Sequence, residues 1–204
     1  CPTGCQQSTG VVNLHFAQMR EALPCAPCVE RTCVIRIMPL TAPSPIKRLN
    51  DLPDYARVWV YKTARDLSHA EQRLVLERGA AFTNSWAAHG SPLDAVVEVL
   101  HDRFVVLAVD EEQALASGCS IDKSVGFVKQ LEHDLNLMLT DRMILVFEGP
   151  SGITSCRLQD LPELLKEGVL SGDTMVYDDL VPTMGDLRGR FCMPLRETWL
   201  VRYL

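Results

Sequence analysis

The sequence contains nothing approaching the roughly eighteen consecutive apolar residues of a membrane-spanning helix, and no charged opening followed by an apolar stretch. Membrane insertion and secretion are therefore not expected, and a cytoplasmic location is the default. Basic clusters are also missing: 20 Lys and Arg stand against 26 Asp and Glu, a net charge of −6. That leaves no electrostatic footprint for nucleic acid. With 47% hydrophobic and 23% charged residues, and only 12 Gly and 12 Pro, the composition excludes disordered, collagen-like and coiled-coil chains. What is present is a chain of 204 residues, enough for one globular domain with an appendage or for two small ones.

Of 8 cysteines, Cys1, Cys5, Cys25, Cys28 and Cys33 fall within residues 1–37, a stretch without sustained helical or strand periodicity. Met38 then precedes a Pro-rich lead-in, residues 38–56. Residues 1–37 are accordingly expected to be a non-native or disordered leader, with translation starting at Met38. The rival reading is a thiolate knuckle for zinc or an iron–sulfur cluster, using Cys25, Cys28 and Cys33 with Cys1 or Cys5. Only one spacing fits it and Pro24 and Pro27 crowd it, so no metal and no cofactor is expected.

From Arg57 the pattern becomes regular. RVWVYK alternates as a strand does, and Ser68 with Glu71 forms a capping box for a helix carrying Val75, Gly79, Phe82 and Trp86 on one face and ending at Gly90. Two apolar runs, at 93–100 and 104–110, flank His101, Asp102 and Arg103, a hairpin-sized link. Ile121, Val125, Val128, Leu131, Leu135 and Met138 mark a second amphipathic helix, and MILVFE a further strand over 143–148. The order βαββαβ over 57–148 predicts an α+β protein of the ferredoxin-like split type, an antiparallel sheet with two helices on one face. The 104–110 strand should be interior and the 143–148 strand at an edge. MILVF is nonetheless apolar without alternation, which requires a cover on both faces. The α/β extension 149–204 is expected to supply it by packing on the core.

The segments SWAAHGSPL, DRFVVLAVD, ASGCSIDKSV and TMVYDDLV, with the finish at 199–204, resemble a family of small uncharacterised Bacteroidetes proteins commonly labelled "ABC transporter ATPase". The resemblance covers 38–204 and implies an ATPase associated with transport. Such an enzyme needs G-x-x-x-x-G-K-[ST] to cradle phosphates, and neither GPSGITS at Gly149 nor LSGD at Leu170 supplies it. LQDLPELLKEG followed by VLSGDTMV is similar to the helix-and-strand half of small GYF-like interaction modules, without their aromatic signature, and implies a partner-binding role.

In a split βαββαβ fold the end of the first helix and the start of the second share one end of the sheet. His89 and Cys119 are thereby expected as neighbours, with Asp110 and Glu111 near. A thiol at a helix N-terminus beside an imidazole can act as a nucleophile. The same loop, Ser117, Gly118, Ser120, Asp122 and Lys123, with Trp86 and the cation Arg57 or Arg142 near, can instead hold an anion, Gly118 permitting a tight turn. The bland reading makes Ser117 or Ser120 a helix cap, Cys119 a small buried residue, and Trp59, Trp86 and Trp199 core or sheet packing. The leading expectation is a binding or scaffolding protein without ATPase activity, recognising a small anionic ligand or a protein partner. A thiol enzyme using Cys119 with His89 comes second, and the ATPase of the family label third.

Overall fold

Strand β1 (Arg57–Lys62) realises the alternation of RVWVYK, with Val58 and Val60 buried on one face and Trp59 and Tyr61 half-buried on the other. The computed structural model describes residues 48–204; the Cys-rich segment 1–37 and its candidate metal knuckle lie outside them. Helix α1 (His69–Ser85) opens on the predicted capping box, in which the Ser68 hydroxyl accepts from the Glu71 N–H and the Glu71 carboxylate accepts from the Ser68 N–H. The helix stops at Ser85, short of Gly90. Trp86 turns the chain into a small hairpin, β2 (Ala87–Ala88) and β3 (Ser91–Pro92), and the positive φ of His89 and Gly90, 50° and 85°, makes its turn. Gly90 thus serves this turn rather than a helix end.

Strands β4 (Asp94–Leu100) and β5 (Phe104–Asp110) form the expected hairpin, with His101 and Asp102 at φ 49° and 56°. Helix α2 (Gly118–Leu135) follows, closed by Asn136 in the left-handed conformation. The sheet has the order β1-β5-β4 and is antiparallel throughout, so β5 is interior and buried along nearly its whole length.

The fourth strand departs from expectation. Strand β6 (Ile144–Gly149) does not join that sheet at an edge; it sits inside a second antiparallel sheet of order β7-β6-β8-β9, with β7 (Gly152–Arg157), β8 (Met175–Tyr177) and β9 (Cys192–Pro194). Its two apolar faces explain the move. Ile144 and Val146 join Val58, Val60, Phe104, Val106, Met184 and Phe191 between the two sheets, while Leu145 and Phe147 join Leu161, Leu195 and Leu200 on the far side. Helix α3 (Leu161–Lys166) and the final turns at Trp199–Tyr203 cover that far side, and helix α4 (Met184–Arg190) closes the inter-sheet core. Helices α1 and α2 cover the other face of the first sheet, around Trp86, Val97, Leu107 and Leu131. The protein is therefore mixed α and β, with antiparallel sheets and four helices among the described residues. None of these is long and apolar enough to cross a membrane.

Helix α2 is rotated relative to the predicted stripe. Ser120, Ser124, Val128, Leu131 and Leu135 face the core, whereas Val125 is 41% exposed and Met138 61%. The serines enter the interface because their hydroxyls are already satisfied, Ser120 donating to the Ser117 carbonyl and Ser124 to that of Ile121, at 2.8 and 2.7 Å.

Candidate functional site

The residues singled out at the start of α2 meet the end of α1 through Trp86, whose buried indole N–H donates to the Ser120 carbonyl at 2.8 Å. Ser117 is the N-cap, its hydroxyl accepting from the Ser120 N–H. Gly118 begins the helix rather than making a tight turn: its φ is not positive, and a Cβ there would meet nothing within 4 Å. Cys119, Asp122 and Lys123 point from the first turns into solvent, and His89 is exposed at the tip of the β2–β3 hairpin. No hydrogen bond among the described residues links His89 to Cys119. Asp110 and Glu111 are used locally, accepting from the Glu112 and Ala116 N–H groups. Among the described residues no group of three or more His, Cys, Asp or Glu is arranged to hold a metal ion.

A different feature lies along the outer edge of β1. The Val58 N–H donates to the Pro182 carbonyl and the Met184 N–H to that of Ala56, which bridges Arg57 to Thr183. Between Asp179 and Val181 the chain makes no backbone hydrogen bond to β1 among the described residues. In an antiparallel ladder residues alternate in the direction of their polar groups. Since Val58 points outward and Thr63 donates back to Arg103, Val60 and Lys62 also point outward. Among the described residues nothing pairs with the Val58 carbonyl, the Val60 N–H and carbonyl, or the Lys62 N–H.

These groups open onto a groove of about 470 Å³. Its floor is β1; Ile121, Ser124, Val125 and Val128 of α2 form one wall, residues 179–182 the other, and residues 139–142 the end. The apolar wall is partly in solvent, with Val125 41% and Leu180 54% exposed. Cations dominate the free charge. Asp141 is bound by Arg157 at 2.6 Å and Asp179 by the buried Lys62 at 2.7 Å. Arg57 lies over the Trp59 ring and touches Glu111 only at 4.0 Å, while Arg142 is exposed and makes no hydrogen bond or ion pair among the described residues. Burial raises the Tyr61 hydroxyl above its usual range, against the opposing field of Arg142.

A second group that sequence reasoning missed is Tyr177, Glu148 and Cys192. The Tyr177 hydroxyl and the Cys192 thiol both donate to Glu148 Oε1, at 3.3 and 3.8 Å, and the His101 ring lies 5.3 Å from that of Tyr177. Burial, then the Glu148 charge, pushes the Cys192 thiol up; burial and the Cys192 and Glu148 charges do the same to Tyr177. Both stay protonated donors at neutral pH, which suits a packing cluster rather than a nucleophile. These residues come from three strands, and nothing in their sequence spacing announces the meeting.

Comparison with protein-family models, with curated proteins and with solved structures gave no match.

Proposed function

We propose that the protein is a binding module that receives an extended peptide segment of a partner along the outer edge of β1. The observation that carries this reading is the unpaired Val58 carbonyl and Val60 N–H and carbonyl at the floor of a groove with apolar walls, with the outward Lys62 N–H next in line. An open strand edge is a template for another strand, and soluble proteins ordinarily blunt it. Peptide recognition by strand addition uses such an edge for affinity and side-chain pockets on either side for selectivity. In the ferredoxin-like split sheet that the βαββαβ order suggests, this position belongs to the fourth strand; here β6 has gone to the second sheet, and the slot beside β1 is left for a strand from elsewhere.

The free guanidinium of Arg142 and the loosely held Arg57 favour an acidic segment, although the chain as a whole carries a net charge of −6. ATP hydrolysis forms no part of this reading, because the phosphate-binding run is missing from the sequence.

The test uses an acetylated hexapeptide of alternating valine and aspartate, and the same peptide N-methylated at alternate residues. Side chains are retained in the second peptide while its strand donors are removed. Binding of the first with amide shifts confined to β1, α2 and 179–182, and loss of binding for the second, supports strand addition. Equal binding of both peptides, or shifts away from β1, contradicts it.

A further inference from the structure

Next to the groove the second sheet is incomplete. Strands β6 and β8 pair only at Phe147 and Val176, and toward Ile144 and Asp178 they separate around a cleft of about 300 Å³. Its floor is Leu145, Val176 and Leu200, all buried, and its mouth carries Met143, Leu180 and Trp199, which are 49%, 54% and 41% exposed. Three large apolar side chains left in solvent around one opening are a mark of an interaction site. The cleft and the β1 groove share Arg142, Asp179 and Leu180, and Lys62, the last residue of β1, lines the cleft. A strand lying on β1 therefore reaches the cleft at its end, with no gap between the two.

We infer that this cleft is the anchor pocket for a single aromatic side chain of the same partner peptide, placed where the peptide passes the Lys62 end of β1, beside a carboxylate that pairs with Arg142. This rests on the strand reading above. Size supports one side chain: sites for whole small molecules span roughly 300–1,000 Å³, and this cleft stands at the bottom of that range. Chemistry supports an aromatic one, since the Met143 thioether and the Trp199 indole both favour an aromatic neighbour. The carboxylate follows from charge. Within the shared wall Asp179 is held by Lys62, which leaves Arg142 as the cation without a bonded partner among the described residues.

The inference predicts a selectivity that the groove alone does not. Two peptides decide it: the alternating valine–aspartate hexapeptide extended by aspartate and phenylalanine, and the same peptide ending in aspartate and alanine. Affinity is read by calorimetry, and placement by methyl and amide shifts. The phenylalanine peptide should bind at least about tenfold more tightly, as expected for burying one aromatic ring, and should shift the methyls of Leu145, Val176 and Leu200. Met143→Gln, a neutral polar change at the exposed rim, should reduce that advantage and leave the alanine peptide's affinity unchanged. Equal affinities with shifts along β1 would overturn the anchor and keep the strand reading. Shifts in the cleft without any at β1 would show an independent apolar pocket and overturn the inference. No binding at β1 by either peptide would overturn both.

Discussion

Glu71 shows how one residue of the capping box shapes acid stability. Hydrogen bonds from Arg65, and then from the Ser68 N–H and hydroxyl, hold its carboxyl at about 2, below the usual 4.5. A carboxyl depressed in the folded state contributes stability that is complete above pH 4.5 and is lost as pH falls toward 2. Glu71→Gln should therefore flatten the fall in melting temperature over that interval, and Ser68→Ala should cost about 1 kcal/mol at neutral pH. A variant whose acid melting profile retains the full native slope would show that Glu71 is not responsible. The glycines provide an opposed pair. A Cβ at Gly79 would lie 2.6 Å from Val97 Cβ, so Gly79→Ala should destabilise by roughly 1–2 kcal/mol despite its helical preference. Gly118→Ala, in open space at the start of α2, should stabilise by up to about 1 kcal/mol. Denaturant titration of the two variants should move the midpoint in opposite directions.

Cysteines separate at the same scale. In variants with Cys1, Cys5, Cys25, Cys28 and Cys33 replaced by serine and one of Cys119, Cys156 and Cys192 kept at a time, exposed Cys119 should react first with a thiol reagent. Burial and Asp160 push Cys156 up to about 11, so its labelling should still rise about tenfold per pH unit through pH 9. A plateau for Cys156 near neutral pH would contradict that placement.

Elements were legible in the sequence where local chemistry decided them. The alternation of β1, the capping box of α1 and the link at His101 and Asp102 each depend on neighbours in the chain, and each is found. The phase of α2 and the destination of β6 were not legible, because both depend on partners far away. Ser120 and Ser124 are polar by composition but internally satisfied, so they pack while Ile121 and Val125 line the groove. MILVF reported two buried faces but not which sheet would bury them. The groove was invisible for the same reason: it is made by the absence of a strand that the βαββαβ order predicts. One element-level link is testable. Lys62, 6% exposed along its side chain, fastens β1 to residues 179–182 through Asp179. Asp179→Ala should cost roughly 3–5 kcal/mol by leaving that ammonium unpaired, and the double variant Lys62→Met with Asp179→Leu should recover much of it. Full additivity of the two single changes would argue against the link.

Among the described residues, helices, first sheet, second sheet and C-terminal cover stack in layers; β4 and β7 are edge strands as β1 is, and the edge of β1 lies at the floor of the walled groove. Among the described residues the first sheet has no fourth strand, and exposed Val125 and Leu180 stand beside the open edge of β1, which makes that edge the place where the fold can take a further strand. Amide hydrogen exchange along β1 tests this most directly. In the free protein the amides of Trp59 and Tyr61, bonded to β5, should exchange slowly while those of Val60 and Lys62 exchange fast; adding the valine–aspartate hexapeptide should slow Val60 and Lys62 selectively. Slow exchange at Val60 in the free protein, or no slowing when peptide binds, would contradict the account.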